Sequence, residues 1–128
     1  MKIAIPVKLN RENPPVAPLF GKAKWFAIIE NDRVEIVPNR YEGGLAVIDW
    51  FIDIGVDVII VQEIGFSPYE KIKDSKIALY YGGKDRILLD EVLEKFDNGE
   101  LDIVDDTNIS QLVKKKREGV GKRRGLRV

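Results

Sequence analysis

Apolar positions come in short blocks separated by stretches rich in glycine, proline and charge, and the period inside the blocks changes along the chain. Lys2 to Val7 is apolar at nearly every position, as a strand covered on both faces requires. Residues 24–30 and 33–38 read as two more strands. In Arg33-Val34-Glu35-Ile36-Val37 apolar and charged residues alternate, the pattern of a half-exposed strand. Asn31-Asp32, between them, are residue types that tolerate the left-handed conformation of a two-residue hairpin turn. At residues 44–54 the period becomes helical. Leu45, Ile48 and Ile52, with Val47, Phe51 and Ile54, form a broad apolar face, and Gly55 closes the helix. Val56 to Val61 is apolar except for Asp57 and predicts a buried parallel strand.

In the second half, Ser67, Pro68 and Glu70 predict a helix from about residue 68, with Ser67 as its cap and Glu70 completing a capping box. Lys76 to Tyr81 predicts a strand. Asp85 is the expected cap of a helix running to about Phe96, which Asn98-Gly99 ends. Leu101 to Val104 adds a short edge strand, and Ile109, Leu112 and Val113 suit a brief helix from Thr107. The order is a hairpin followed by βαβαβ crossovers, which gives a mixed α/β sheet with helices on both faces. The expected division is an α/β domain over residues 1–104, then a short helix and a basic flexible tail over 105–128. Three glycines among basic residues beyond Glu118 are the reason for expecting disorder there.

At 128 residues the chain is long enough for one domain with a sizeable core. No apolar run approaches the roughly 18 residues of a membrane span. The first residues already read as a strand, so no signal peptide is visible. With no cysteine and no export signal, the expected compartment is the cytoplasm. Abundant Lys, Glu and Ile, with two Gln, lean towards a thermophilic source. The net charge is zero, but it is unevenly spread. Residues 114–128 hold eight basic residues (Lys114, Lys115, Lys116, Arg117, Lys122, Arg123, Arg124, Arg127) and one acidic, Glu118. The rest of the chain carries a net charge of −7. An acidic body with a +7 tail suggests contact with nucleic-acid phosphates or an acidic protein partner. The tail lacks the aromatic residues that stack on single strands. A solubilising tail, or one folded back on the body, is the plainer reading.

Histidine is absent as well as cysteine. This excludes the usual zinc sites, cysteine-ligated iron–sulfur clusters, and Ser-His or Cys-His catalysis. Asp49, Asp53 and Asp57 raise the idea of a metal-dependent nuclease, and Asp49 and Asp53 do share a helix face. A solvated helix face explains them better, and no acid–base constellation supports an enzyme. Trp25, Phe26, Trp50 and Phe51 read as core and rim packing.

The remaining signal is the segment Pro18-Leu19-Phe20-Gly21-Lys22-Ala23-Lys24-Trp25-Phe26. A loop normally faces water, so Leu-Phe-Gly between basic residues is unusual. Gly21 permits positive φ or a close backbone approach. Two further glycine turns, Gly43-Gly44 and Gly65 to Ser67, lead into predicted helices, whose exposed amides attract anions. The turn after residues 56–61 also lies at a strand's carboxyl end, where ligands tend to bind.

MKIAIPV, PLFGKAKWFAIIE, Gly43-Gly44, GVDVII and SKIALYYG, in this order, resemble the dinitrogenase iron–molybdenum cofactor biosynthesis family over about residues 1–100. The resemblance implies a three-layer ribonuclease-H-like motif: a mixed five-stranded sheet with one antiparallel strand and helices on both faces. It implies a non-enzymatic binding or carrier protein, like nitrogenase accessory factors, for an iron–molybdenum or iron–sulfur cluster. Relatives often carry histidine just before the Phe-Gly step, where this chain has Leu19. A cluster or other anionic ligand would therefore be held without His or Cys ligands. The candidate cofactor-binding residues are Leu19, Phe20, Gly21, Lys22, Lys24, Gly43, Gly44, Gly65 and Ser67.

Overall fold

The computed structural model describes residues 1–112. The tail and its eight basic residues lie outside them, so the expected tail contacts and disorder do too. The strands are β1 (Lys2–Val7), β2 (Trp25–Glu30), β3 (Arg33–Pro38), β4 (Val58–Val61), β5 (Ala78–Tyr81) and β6 (Asp102–Ile103). The helices are α1 (Gly44–Asp53), α2 (Phe66–Lys73), α3 (Leu89–Asp97) and α4 (Ile109–Leu112), with a single 3₁₀ turn at Phe20–Lys22.

The strands form one mixed sheet in the order β3-β2-β1-β4-β5-β6. β1, β4 and β5 run parallel, while β2 and β6 are antiparallel to their neighbours. The sheet thus has six strands rather than five, and two antiparallel strands rather than one. β6 spans two residues, and only the pairs Tyr80↔Ile103 and Tyr81↔Asp102 hold it to β5. It lies within Leu101 to Val104, the short edge strand expected from the sequence but left out of the count of five.

The hairpin forms as its sequence requires. Glu30 pairs with Arg33 across Asn31 and Asp32, whose φ angles are 51° and 66°. On one face of the sheet Ala4, Phe26, Ile59 and Leu79 pack against Val47, Ile48 and Phe51 of α1 and Tyr69 and Ile72 of α2. Ile109, at the start of α4, is buried in the same cluster. On the other face Ile3, Ile5, Val58 and Ile60 meet Leu89 and Val92 of α3. Strand alternation produces both cores: successive residues of β1 point to opposite faces, so Ala4 and Ile5 belong to different clusters.

Pro6 sits in a central strand, where its missing N–H would ordinarily break the ladder. The β1–β4 pairing covers only Ile3↔Val58 and Ala4↔Ile59 and stops short of it. Beyond that point the chain's own loop takes β4's place. Val16 bridges Val7, and the Ala17 amide donates to the Pro6 carbonyl at 2.8 Å. The loop then crosses to its other neighbours. The Val16 amide donates to Ile87 O and that of Leu89 to Pro14 O, both at 2.9 Å, while Phe20 N donates to Glu63 O at 3.0 Å.

These clips correct two helix starts. α2 begins at Phe66 with Gly65 as its N-cap, so Ser67 is in the first turn and makes no cap bond. Pro68 is tolerated there because first-turn amides have no intrahelical partner. α3 begins at Leu89, not after Asp85, because residues 87–89 are tied to the loop at 14–16. Its cap comes from Glu91, whose Oε1 accepts the Leu88 amide at 2.9 Å. α3 ends as expected, with Asn98 as C-cap and Gly99 at φ 73°.

Candidate functional site

The three glycine turns singled out in the sequence meet in one place, and the reason is a close approach of backbone. A Cβ on Gly21 would lie 3.5 Å from the Gly44 amide nitrogen. One on Gly44 would lie 2.5 Å from Pro68 Cγ and 3.7 Å from Phe20 Cδ2. One on Gly65 would lie 3.3 Å from Pro68 Cδ. Gly43 precedes α1 with φ 86°, a left-handed value that favours glycine. Phe20, Gly21, Gly43, Gly44 and Gly65 are therefore one junction, with Pro68 as the wedge between the starts of α1 and α2. Nothing in the sequence pattern marked Pro68 for that role beyond its fitness for a helix start.

Phe20 belongs to the core. It is 1% exposed and packs edge-on against Phe26 at 5.7 Å and Phe51 at 6.2 Å. It therefore anchors the loop rather than reaching for a ligand. Leu19 is half-buried and bridges Glu63, at the carboxyl end of β4. That strand end, expected to be open to a ligand, is closed by the loop itself. Lys22, Lys24 and Ser67 are exposed.

Around the junction the surface mixes two chemistries. Asn39 ties the end of β3 to the loop: its Nδ2 donates to Ala23 O and its amide to Lys24 O, both at 2.9 Å. This brings the backbone preceding exposed Arg40 to the loop that carries Lys22 and Lys24. None of the ion pairs among the described residues uses these three cations. Tyr41, Leu45 and Phe66 are also exposed, and Tyr41 stacks on Trp50 with ring centres 5.2 Å apart. α1 and α2 both start at a glycine with no side-chain cap and have no acidic residue in the first turn. First-turn amides without a capping acceptor carry partial positive charge. Asp49, one of the carboxylates weighed as a nuclease ligand, pairs with Lys71 of α2.

A second polar centre holds the far side of α2. The Tyr69 hydroxyl donates to Asp106 Oδ1 at 2.7 Å, and Lys73 Nζ donates to both Asp106 oxygens at 3.1 and 3.2 Å. Burial, then the Asp106 carboxylate, push the Tyr69 phenol well above its ordinary range. The same phenol, followed by Lys73, holds Asp106 below the usual carboxylate range. Asp105 is likewise lowered, chiefly by the Thr107 hydroxyl and amide.

A further cleft lies at the end of β5. It has a volume of about 730 Å³ and opens between the end of β5, α3 and residues 100–102. Gly82-Gly83 at a strand's end was the available signal for it. Among the described residues there is no group of three or more His, Cys, Asp or Glu arranged to hold a metal. Direct ligation of a cluster by this chain does not fit: the sequence supplies neither thiolate nor imidazole, and the carboxylates among the described residues do not converge.

The sequence profile of the family described as "Dinitrogenase iron-molybdenum cofactor" matches residues 1–99. The chain belongs to the dinitrogenase iron–molybdenum cofactor family. An uncharacterized protein of Methanocaldococcus jannaschii is 33% identical over 112 residues, covering 80% of this chain and 90% of that one. The apo form of the orange protein from Desulfovibrio gigas superimposes with a TM-score of 0.70 at 16% identity, covering 80% of this chain and 92% of that one. A Thermotoga protein described as a candidate NifB protein gives 0.68 at 23% identity, with coverages of 80% and 91%. At such identities these two structures establish the shared fold. The family match also ends where α3 ends, so β6, the Asp106 clasp and the tail lie beyond it.

Proposed function

We propose that this member of the family is a non-catalytic binding protein that holds an anionic, preassembled metal–sulfur cluster as cargo. The binding face is the surface over the Gly21–Gly44–Gly65 junction. One observation carries this reading: two helices start side by side at glycine caps, and the cations Lys22, Lys24 and Arg40, which enter no ion pair among the described residues, border the same loop. Amide dipoles and ammonium groups attract an anion without displacing its own sulfur ligands. The lack of imidazole and thiolate suits a carrier that must release its cargo. Exposed Tyr41, Leu45 and Phe66 give that face an apolar component for a bulky, weakly hydrated cluster. The hairpin followed by two parallel crossovers supports reading the topology as a ribonuclease-H-like motif. Anaerobic incubation with a preformed molybdenum–sulfur cluster, then gel filtration, tests the proposal. Metal and its visible absorbance should travel with the protein, and Lys22→Glu with Lys24→Glu should abolish this.

The charge split supports a second reading, in which the basic segment 114–128 contacts nucleic acid or an acidic protein. Binding to a DNA or RNA oligonucleotide at low salt that disappears without this segment would support it.

A further inference from the structure

We propose that the cleft at the end of β5 is a docking groove for the chain's own basic segment, residues 114–128. Ile87 and Leu101 are half-buried and give it an apolar floor. Glu94, Glu100 and Asp102 are exposed on its rim. None of the ion pairs among the described residues uses these three carboxylates. That combination suits lysine and arginine side chains, which lay an aliphatic stem on apolar surface and keep the charge at a polar edge. The groove's volume of about 730 Å³ accepts several such side chains.

Charge complementarity then selects the occupant. From Asp97 to Asp106 there are five acidic residues, and no basic residue occurs between Lys95 and Lys114. Immediately after this acidic stretch the sequence turns basic, with eight Lys and Arg against one Glu. Lys84, Arg86 and Lys95 also line the groove, and Glu118 is the acid in the segment that can meet them. Asp106, by contrast, is already committed to Tyr69 and Lys73.

Reach allows it. The described residues stop in α4 at Leu112, nine residues after β6, and β6 is the outermost strand. Passing from the α2 face to the α3 face means rounding one strand, a step of about 5 Å. Sixteen extended residues span up to about 50 Å.

The test uses the full chain. Carbodiimide cross-linking at low salt, mapped by mass spectrometry, should join Lys114, Lys115, Lys116 or Lys122 to Glu94, Glu100 or Asp102. The yield should fall several-fold in about 0.5 M salt, which screens exposed charges, and should not change on dilution. Hydrogen exchange over residues 82–102 should slow several-fold from high to low salt. It should show no such change in the triple variant Glu94→Gln, Glu100→Gln, Asp102→Asn. Cross-links spread equally over Glu30, Asp49, Asp53 and Asp57 would overturn the proposal. So would their absence, a yield that falls on dilution, or an equal exchange response in the triple variant.

Discussion

A Cβ placed on Gly44 falls 2.5 Å from Cγ of Pro68, closer than real side chains approach. The starts of α1 and α2 are pressed together through these two residues, and Phe20 closes the contact from the loop side. The glycines of this face are therefore packing devices first. They set the separation of two helix starts, and whatever binds there meets the amides that this separation presents.

Gly44→Ala should consequently destabilise the fold. Alanine is a better helix former than glycine by about 1 kcal/mol, which alone would stabilise α1. Overlap with the proline ring works against it, and forced overpacking costs about 1–3 kcal/mol. Thermal unfolding should show a net fall in Tm. Pro68→Ala in the same background should recover most of it, because the two residues are in direct contact. A Gly44→Ala protein as stable as the parent would mean that the junction is loose.

Phe20 separates anchoring from ligand contact. With its ring in the core against Phe26 and Phe51, Phe20→Ala should cost about 3–5 kcal/mol. Denaturant unfolding would measure it. A cost well under 1 kcal/mol would place the ring at the surface.

The Tyr69–Asp106 clasp gives stability a pH signature. Asp106 and Asp105 have lowered carboxyl pKa values in the folded chain, so their contribution is present above the unfolded value of about 4 and is lost as pH falls through the folded ones. Tyr69 has a raised value, so its contribution is full below about pH 10 and declines above it, where the unfolded phenol ionises first. Tyr69→Phe should lower Tm by a few degrees at neutral pH, remove the decline that Tyr69 causes at high pH and flatten part of the acid limb. A melting series from pH 2 to 11 decides this; parallel curves for both proteins would sink the clasp.

The positions of the main elements were legible because β1, the hairpin and α1 each carry a clear period, and Asn31-Asp32 names its own turn. The helix starts at 66 and 89 were not, because Gly65 and the clip of Leu89 to Pro14 override the local signals of Ser67 and Asp85. β6 was too short to count among the main strands. Of the candidate site residues, Gly21, Gly44 and Gly65 lie close together around Phe20 and Pro68. The packing of Gly44 on Pro68 and the closure of the β4 end by Leu19 on Glu63 depend on contacts between residues 24 and 44 positions apart. No local pattern encodes such contacts.

The measurement that bears most directly on cargo binding compares three proteins: the parent, Lys22→Glu/Lys24→Glu, and a control carrying Lys84→Glu/Arg86→Glu in the cleft at the end of β5. Each is incubated anaerobically with a preformed molybdenum–sulfur cluster and desalted, and the metal retained per chain is determined with the visible spectrum. The account predicts retained metal and cluster absorbance in the parent and the cleft control, with a loss of at least about tenfold in the loop variant, as two reversed charges beside a bound anion imply. Equal retention in the loop variant and the parent, or none in any of the three, would contradict it.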